Sequence, residues 1–224
     1  MTCWALLALK PPHLGKTRLA GVLSRTQRER LIRAMFERVL GALDGAEEID
    51  RVAVITPALE LLPRGVIALD DPGAGLNHAL GEGRRQLIAR GADEVLVLHA
   101  DLPALTATEV DDFVRQGRRA SLALAADRHG SGTNAILLAG RGDFNFRFGT
   151  ESFARHLNEA RTRGLEPARA ALPGFAADID EAADLQDFTD THGSLLAPNL
   201  APWSTTRWTP SPKTFLLLHA AEHG

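Results

Sequence analysis

The sequence predicts an α/β fold with a mostly parallel central sheet flanked by helices. Three observations carry this. Short, continuous apolar runs alternate with longer segments whose apolar residues recur at helical spacing. The runs are apolar at consecutive positions, as parallel strands covered on both faces are. No 20–50-residue repeat is present, so the alternation is that of an open sheet with right-handed crossovers and not of a solenoid.

The elements follow in order. Residues 4–9 (WALLAL) form the first strand, and a polar loop runs from Lys10 to Arg18. Ser24 and Gln27 have capping-box spacing. They open a helix with Leu31, Met35, Val39 and Leu43 four apart and Ile32, Phe36 and Leu40 beside them. RVAVIT at 51–56 is a strand stopped by Pro57, and GVIALD at 65–70 is another that enters the turn DPGAG. Gly75 to Gly91 is a helix carrying Leu76, Leu80, Leu87 and Ile88. EVLVLHAD at 94–101 is the clearest strand, and Thr106 with Glu109 forms a second capping box. ASLALAA (120–126) and NAILLA (134–139) are strands joined by DRHGSGT. SFARHLNEARTRG is a helix ending at Gly164, and AADID (176–180) is a short strand running into the acidic helix EAADLQDF. The division expected is one domain over 1–192 and a Pro/Ser/Thr-rich tail over 193–224, extended or partly disordered. The closing FLLLHAAEHG fits a short strand or a short helix equally well.

Composition excludes several function classes. A net charge of −3 argues against a nucleic-acid binder or a polybasic membrane-surface protein. No apolar run approaches the ~20 residues that span a bilayer. The opening MTCWALLALKPP has neither the basic start nor the small-residue cleavage site of a signal peptide. Cys3 is the single cysteine, so an internal disulfide, a Cys-based zinc site and a redox pair are all excluded, and a reducing cytoplasm is the expected compartment. Aromatic residues are 5% with no Tyr, against a base-stacking platform.

Ligands of open α/β sheets bind at the carboxyl ends of the strands, and four loops there carry chemistry. Lys10-Pro-Pro-His-Leu-Gly-Lys-Thr-Arg18 offers three cations for a polyphosphate, or else is a solvated turn. Its Gly15-Lys16-Thr17 mimics half of a P-loop. Lys10 stands where the other glycine belongs, and Pro12 removes a backbone donor. Asp70-Asp71-Pro72-Gly73-Ala74-Gly75-Leu76-Asn77 is a glycine turn at a helix start, suited to an anion, with Asn77 placed for a base or ribose edge, or else an ordinary tight loop. Asp101 ends an apolar strand, where a carboxylate needs a metal or a turn to cap. Asp178 and Asp180, two apart on a strand, would share a face and call for a cation between them, with capping of the next helix as the plainer alternative. His219-Ala-Ala-Glu222-His223 spells a zincin motif at the chain end, with no sequence after it to complete a site.

Taken together, these loops resemble the CofC/FbiD guanylyltransferases, which make the GDP-activated precursor of coenzyme F(420). The matching stretches are LALKPPHLGKTRLA, GAGLNHAL, VLVLHADLP, ADRHGSGTNAILL, FRFGTESFARHLNEARTRGL and ADIDEAADL, in order from residue 5 to about residue 187. The resemblance implies a Rossmann-like, GT-A-type nucleotidyltransferase fold, with GTP as donor and Mg²⁺ as metal. By position, Asp101, Asp178 and Asp180 match the metal-binding carboxylates. Thr133, Gly149 and Ser152 match the residues that hold a small phosphorylated carboxylic acid: 2-phospholactate, phosphoenolpyruvate or 3-phosphoglycerate. Lys10, Lys16, Arg18, Gly75 and Asn77 fall where the nucleotide would lie, with Lys16, Arg18 and Asp101 the catalytic set. Arg128, His129 or Arg147 is the expected partner of the acceptor's carboxylate. The adjacent Pro11-Pro12 departs from the pattern and reshapes that loop without removing its cations. The implied partners are GTP, the phospho-acid and, transiently, a downstream transferase, with no nucleic acid and no membrane. The alternatives are a same-fold enzyme for a molybdopterin or sugar phosphate, and a non-catalytic nucleotide-binding module.

Overall fold

Cys3–Ala8 (β1) is buried along nearly its whole length and lies third in a seven-stranded sheet, with neighbours on both sides. A computed structural model describes residues 1–59, 62–140 and 142–196. The other strands are Arg51–Ile55 (β2), Ile67–Leu69 (β3), Glu94–Leu98 (β4), Leu122–Ala126 (β5), Thr133–Ala139 (β6) and Ala168–Ala170 (β7). Their order is β3-β2-β1-β4-β6-β5-β7. β6 runs antiparallel to both of its neighbours, and every other pairing is parallel. The α/β class expected from the alternation is the one observed.

Among the described residues six α-helices cover the sheet: Arg25–Gly45 (α1), Leu76–Ala89 (α2), Ala107–Ala120 (α3), Ser152–Thr162 (α4), Pro173–Ala176 (α5) and Ala182–His192 (α6). Both predicted capping boxes form. Ser24 Oγ accepts from the Gln27 amide while Gln27 Oε1 accepts from Ser24 N, and Thr106 and Glu109 do the same for α3. Each cap contributes about 1 kcal/mol by satisfying amides that have no partner within the helix.

The two faces of β1 fill two cores, because successive strand side chains point to opposite sides. Cys3, Ala5 and Leu7 join α1, α3, Phe175 and Phe188 on one face. Trp4 and Leu6 join α2, Ala160 and the alternating Phe144, Phe146 and Phe148 on the other. From β1 the chain moves outward to β2 and β3, then returns to lay β4 on the opposite side of β1. The loops leaving β1 and β4 therefore diverge and open a crevice at the sheet's carboxyl edge.

The structure corrects one predicted element. Asp178 and Asp180 are not on a strand: α5 precedes them and residues 177–180 join no ladder. The sheet edge beside β5 is taken by β7, whose three residues are too few to show a period. Predicted strands at 65–70 and 94–101 also stop early, at Leu69 and Leu98, which leaves His99 and Asp101 in a loop. Leu195 is buried in the first core, three residues past the expected end of the domain. The rest of the expected tail, from 197 on and including His219–His223, lies outside the described residues. Among the described residues, no helix is long and apolar enough to cross a membrane.

α5 is tied to α3 at a point of close approach. Gly174 N donates to Glu109 Oε1 at 2.7 Å, and a Cβ built on Gly174 would stand 2.9 Å from Leu105 Cα and against Glu109 Oε2. Backbone cannot yield as a side-chain tip can. Gly174→Ala is therefore expected to lower stability by about 1–3 kcal/mol, read as a lower urea midpoint. An unchanged midpoint would mean that this segment shifts freely.

Candidate active site

β1 delivers the chain into two short 3-10 turns, Pro12–Leu14 and Thr17–Gly21, separated by Gly15 and Lys16. Gly15 lies so close to α1 that a Cβ would meet Ile32 Cδ1 at 2.6 Å. Lys16 then takes a left-handed conformation, φ 51° and ψ 42°, which costs a residue with a side chain about 1–3 kcal/mol. The bend sends its ammonium inward: Nζ lies 2.5 Å from Asp101 Oδ2 and 2.8 Å from Asp180 Oδ1. Burial alone would push the Lys16 ammonium down, but the two carboxylates outweigh it and hold it above the ordinary lysine value. Burial likewise would raise the Asp101 carboxyl, yet Lys16, with the charge of His99, holds it below the ordinary range.

These groups line a cavity of about 350 Å³ at the crevice between β1 and β4, together with Lys10, Gly15 and Arg18. Arg18 is only loosely engaged, with Asp180 at 3.7 Å and Glu181 at 3.8 Å, and 69% of its side chain is exposed. Such exposed pairs are worth little, so Arg18 is available to an anion entering the cavity. Leu76 and Leu80 of α2 supply apolar wall.

Asp178 stands apart from this pair. Its Oδ1 accepts from Asn134 Nδ2 at 3.0 Å, and the same amide reaches Phe175 O at 2.9 Å. Burial, and then the charges of Asp101 and Asp180, push the Asp178 carboxyl up against the opposing Asn134 hydrogen bond. The segment is held from behind by Asp184, whose Oδ2 accepts from Asp180 N and Glu181 N at 2.9 and 2.7 Å. Arg128 pairs with Asp184 at 3.0 Å and donates to Asp178 O at 3.3 Å. The helix cap is therefore Glu181 with Asp184, not Asp180.

Among the described residues, no three His, Cys, Asp or Glu side chains are gathered as a finished metal cage. The lysine ammonium stands between two of the three predicted acids. The donor set nevertheless suits a hard divalent cation. Asp101 Oδ1 is buried without a hydrogen-bond partner, and Asp178 is short of positive charge.

The predicted acceptor residues are brought together in a second cluster. Thr133 N donates to Ser152 Oγ at 2.8 Å, Ser152 N donates to Gly149 O at 3.1 Å, and Gly149 has φ 123°. Thr133 and Ser152 are buried and do not line the cavity. Phe148 spans the two clusters, with its ring 5.2 Å from that of His99 at the cavity and 4.8 Å from that of His156.

Two expectations change. Asn77, expected toward the nucleotide, spends its amide on Phe148: Oδ1 accepts from Phe148 N at 2.7 Å and Nδ2 donates to Phe148 O at 3.1 Å. It fastens the start of α2 to the Phe146–Phe148 loop, while Gly75 caps α2 at φ 87°. Arg128, expected toward the acceptor's carboxylate, is the latch on Asp184, and Arg147 pairs with Glu159 at 3.5 Å. His129 is exposed. Sequence reasoning missed Asn134, His156 and Asp184. Only Asp184 left a local signal, three residues after Glu181 as in a capping box.

Comparison with known proteins agrees with this architecture. The family model described as guanylyl transferase CofC like matches residues 3–195. A phosphoenolpyruvate guanylyltransferase of Sphaerobacter thermophilus is 41% identical over 191 residues, covering 84% of this chain and 92% of the relative. One from Rubrobacter xylanophilus is 35% identical over 206 residues, covering 90% of this chain and 100% of the relative. A solved structure from Desulfovibrio desulfuricans, described as a nucleotide-diphospho-sugar transferase, superposes with a TM-score of 0.69 at 16% identity, covering 99% of this chain and 96% of that one. That likeness bears on the fold, and the expected Rossmann-like nucleotidyltransferase architecture is the observed one. With the family's model matched along nearly all of the described residues, the chain belongs to the CofC-like guanylyl transferases.

Proposed function

We propose that this protein transfers GMP from GTP to the phosphate of phosphoenolpyruvate and releases pyrophosphate. The observation that carries the reading is Lys16, locked between Asp101 and Asp180 in a cavity at the crevice between β1 and β4, with the exposed, loosely paired Arg18 beside it. The relatives' shared name supports the acceptor. In the reaction an acceptor phosphate oxygen attacks the α-phosphorus in line. The bond from that phosphorus to the β-bridging oxygen breaks, and its electrons leave with pyrophosphate. The attacker is already an anion, so no general base is needed. The barrier is the approach of two anions, which cations and positioning lower.

Lys16, Arg18 and Lys10 supply the fixed positive charge, Lys16 from within the cavity and Arg18 from its rim. Asp101, Asp178 and Asp180 would hold Mg²⁺, which supplies charge neutralisation between reacting phosphates when bound. Thr133, Gly149 and Ser152 orient the acceptor. The reading places the protein in coenzyme F(420) biosynthesis in the cytoplasm, its activated product passing to a downstream transferase.

Pyrophosphate release from GTP is expected with phosphoenolpyruvate and slower or absent with 2-phospholactate, 3-phosphoglycerate and a sugar phosphate. Preference for the sugar phosphate would move the chain to another acceptor class, and GTP binding without release for any acceptor would make it a nucleotide-binding module. Asp101→Asn and Asp180→Asn are expected to slow turnover by ~10²–10³ or more, by analogy with losing one preorganised charge-stabilising group. Without nucleotide, Mg²⁺ should raise the melting temperature of the wild type but not of Asp178→Asn. An equal rise in both would take Asp178 out of the metal set.

A further inference from the structure

His156 is wholly buried on α4, four residues after Ser152, and lies outside the cavity. Its Nε2 is 2.8 Å from the backbone nitrogen of Arg147. A backbone N–H can only donate, so Nε2 is the unprotonated nitrogen. Burial pushes the ring's pKa down to about 4, which leaves it neutral near pH 7 with its one hydrogen on Nδ1. Nδ1 is 2.9 Å from Thr133 Oγ1. A protonated Nδ1 cannot accept, so Thr133 Oγ1 accepts and its own hydrogen turns away from the ring. Ser152 Oγ is likewise used as an acceptor, by Thr133 N. Both hydroxyls thus keep their hydrogens to donate, the polarity an anionic oxygen requires.

The same ring bears on the segments that carry all three predicted acceptor residues. It touches Thr133 directly, shares a helix face with Ser152 at i, i+4, and anchors the Gly149 loop through Arg147 N. We propose that His156 is the positioning residue of the acceptor subsite, which sets the direction of the Thr133 hydroxyl without touching the acceptor. This rests on the reading of Thr133, Gly149 and Ser152 as acceptor-binding residues.

The test is a double-mutant cycle in the full chain, with KM for phosphoenolpyruvate and for GTP as readouts. His156→Phe removes both hydrogen bonds and keeps an aromatic ring beside Phe144 and Phe148. His156→Phe and Thr133→Val are each expected to raise KM for phosphoenolpyruvate about tenfold, the loss of one hydrogen bond, with kcat and KM for GTP little changed. The double variant should be no worse than Thr133→Val alone, because His156 acts through Thr133. His156→Asn, whose amide nitrogen can replace Nδ1 as donor, should recover most of the loss. Multiplying effects in the double variant, or a parallel rise in KM for GTP, would overturn the proposal. A silent Thr133→Val would instead overturn the acceptor subsite itself, and the proposal with it. Should His156→Phe fail to fold, His156→Gln, which keeps only the Nε2 acceptor, takes its place in the cycle.

Discussion

The ammonium of Lys16 between Asp101 and Asp180 is the interaction on which the site depends. The three residues come from distant parts of the chain, 85 and 164 positions apart. Taking a lysine charge out of water is costly, and it is tolerated here because two carboxylates meet it at hydrogen-bond distance. The same contacts hold Lys16 in a left-handed backbone that an isolated loop would abandon. Removing either carboxylate would therefore release a strained turn as well as a charge. Because Asp101 is held below the ordinary carboxylate range, its pairing contributes fully above that range and is lost as the pH falls through the lower value.

The antiparallel strand explains why an otherwise parallel sheet can host this chemistry. Parallel strands send only their carboxyl ends to the crevice. β6 runs the other way, so its first residues arrive there, with Ala135 opposite Leu98 and Asn134 O accepting from His99 N. Thr133 and Asn134 are thus placed by sheet register beside the loop that carries Asp101. Asn134 then fixes Asp178, and Thr133 meets Ser152 and His156. A slip of one residue would turn both side chains to the wrong faces.

What was legible in the sequence was local. The long strands announced themselves as continuous apolar runs, and both capping boxes as polar pairs three residues apart. The strand expected at 176–180 failed because Ile179, although buried, had no ladder left to join once β7 held the edge. Asp178 and Asp180 would share a face only on a strand, and this segment joins no ladder. In the folded chain, Asp180 turns to Lys16 and Asp178 to Asn134. Asn77 is read toward a ligand from its place in a glycine turn, and Arg128 from the resemblance. Their actual partners lie 71 and about 50 or more residues away, at distances no spacing rule reaches.

The basic loop also shows why the half-match to a P-loop misleads. A P-loop holds phosphate with successive backbone amides around glycines. Here Pro11 and Pro12 contribute no N–H, and the amides of Leu14 and Gly15 are spent on the carbonyls of Pro11 and Pro12. The loop's amides therefore do not form the continuous phosphate nest of a P-loop, and its exposed positive charge sits on side chains. Lys16 is already committed to two carboxylates, while Lys10 and Arg18 remain exposed at the cavity. The division sets a fixed cation, which keeps the carboxylates in place, against exposed cations open to an entering anion.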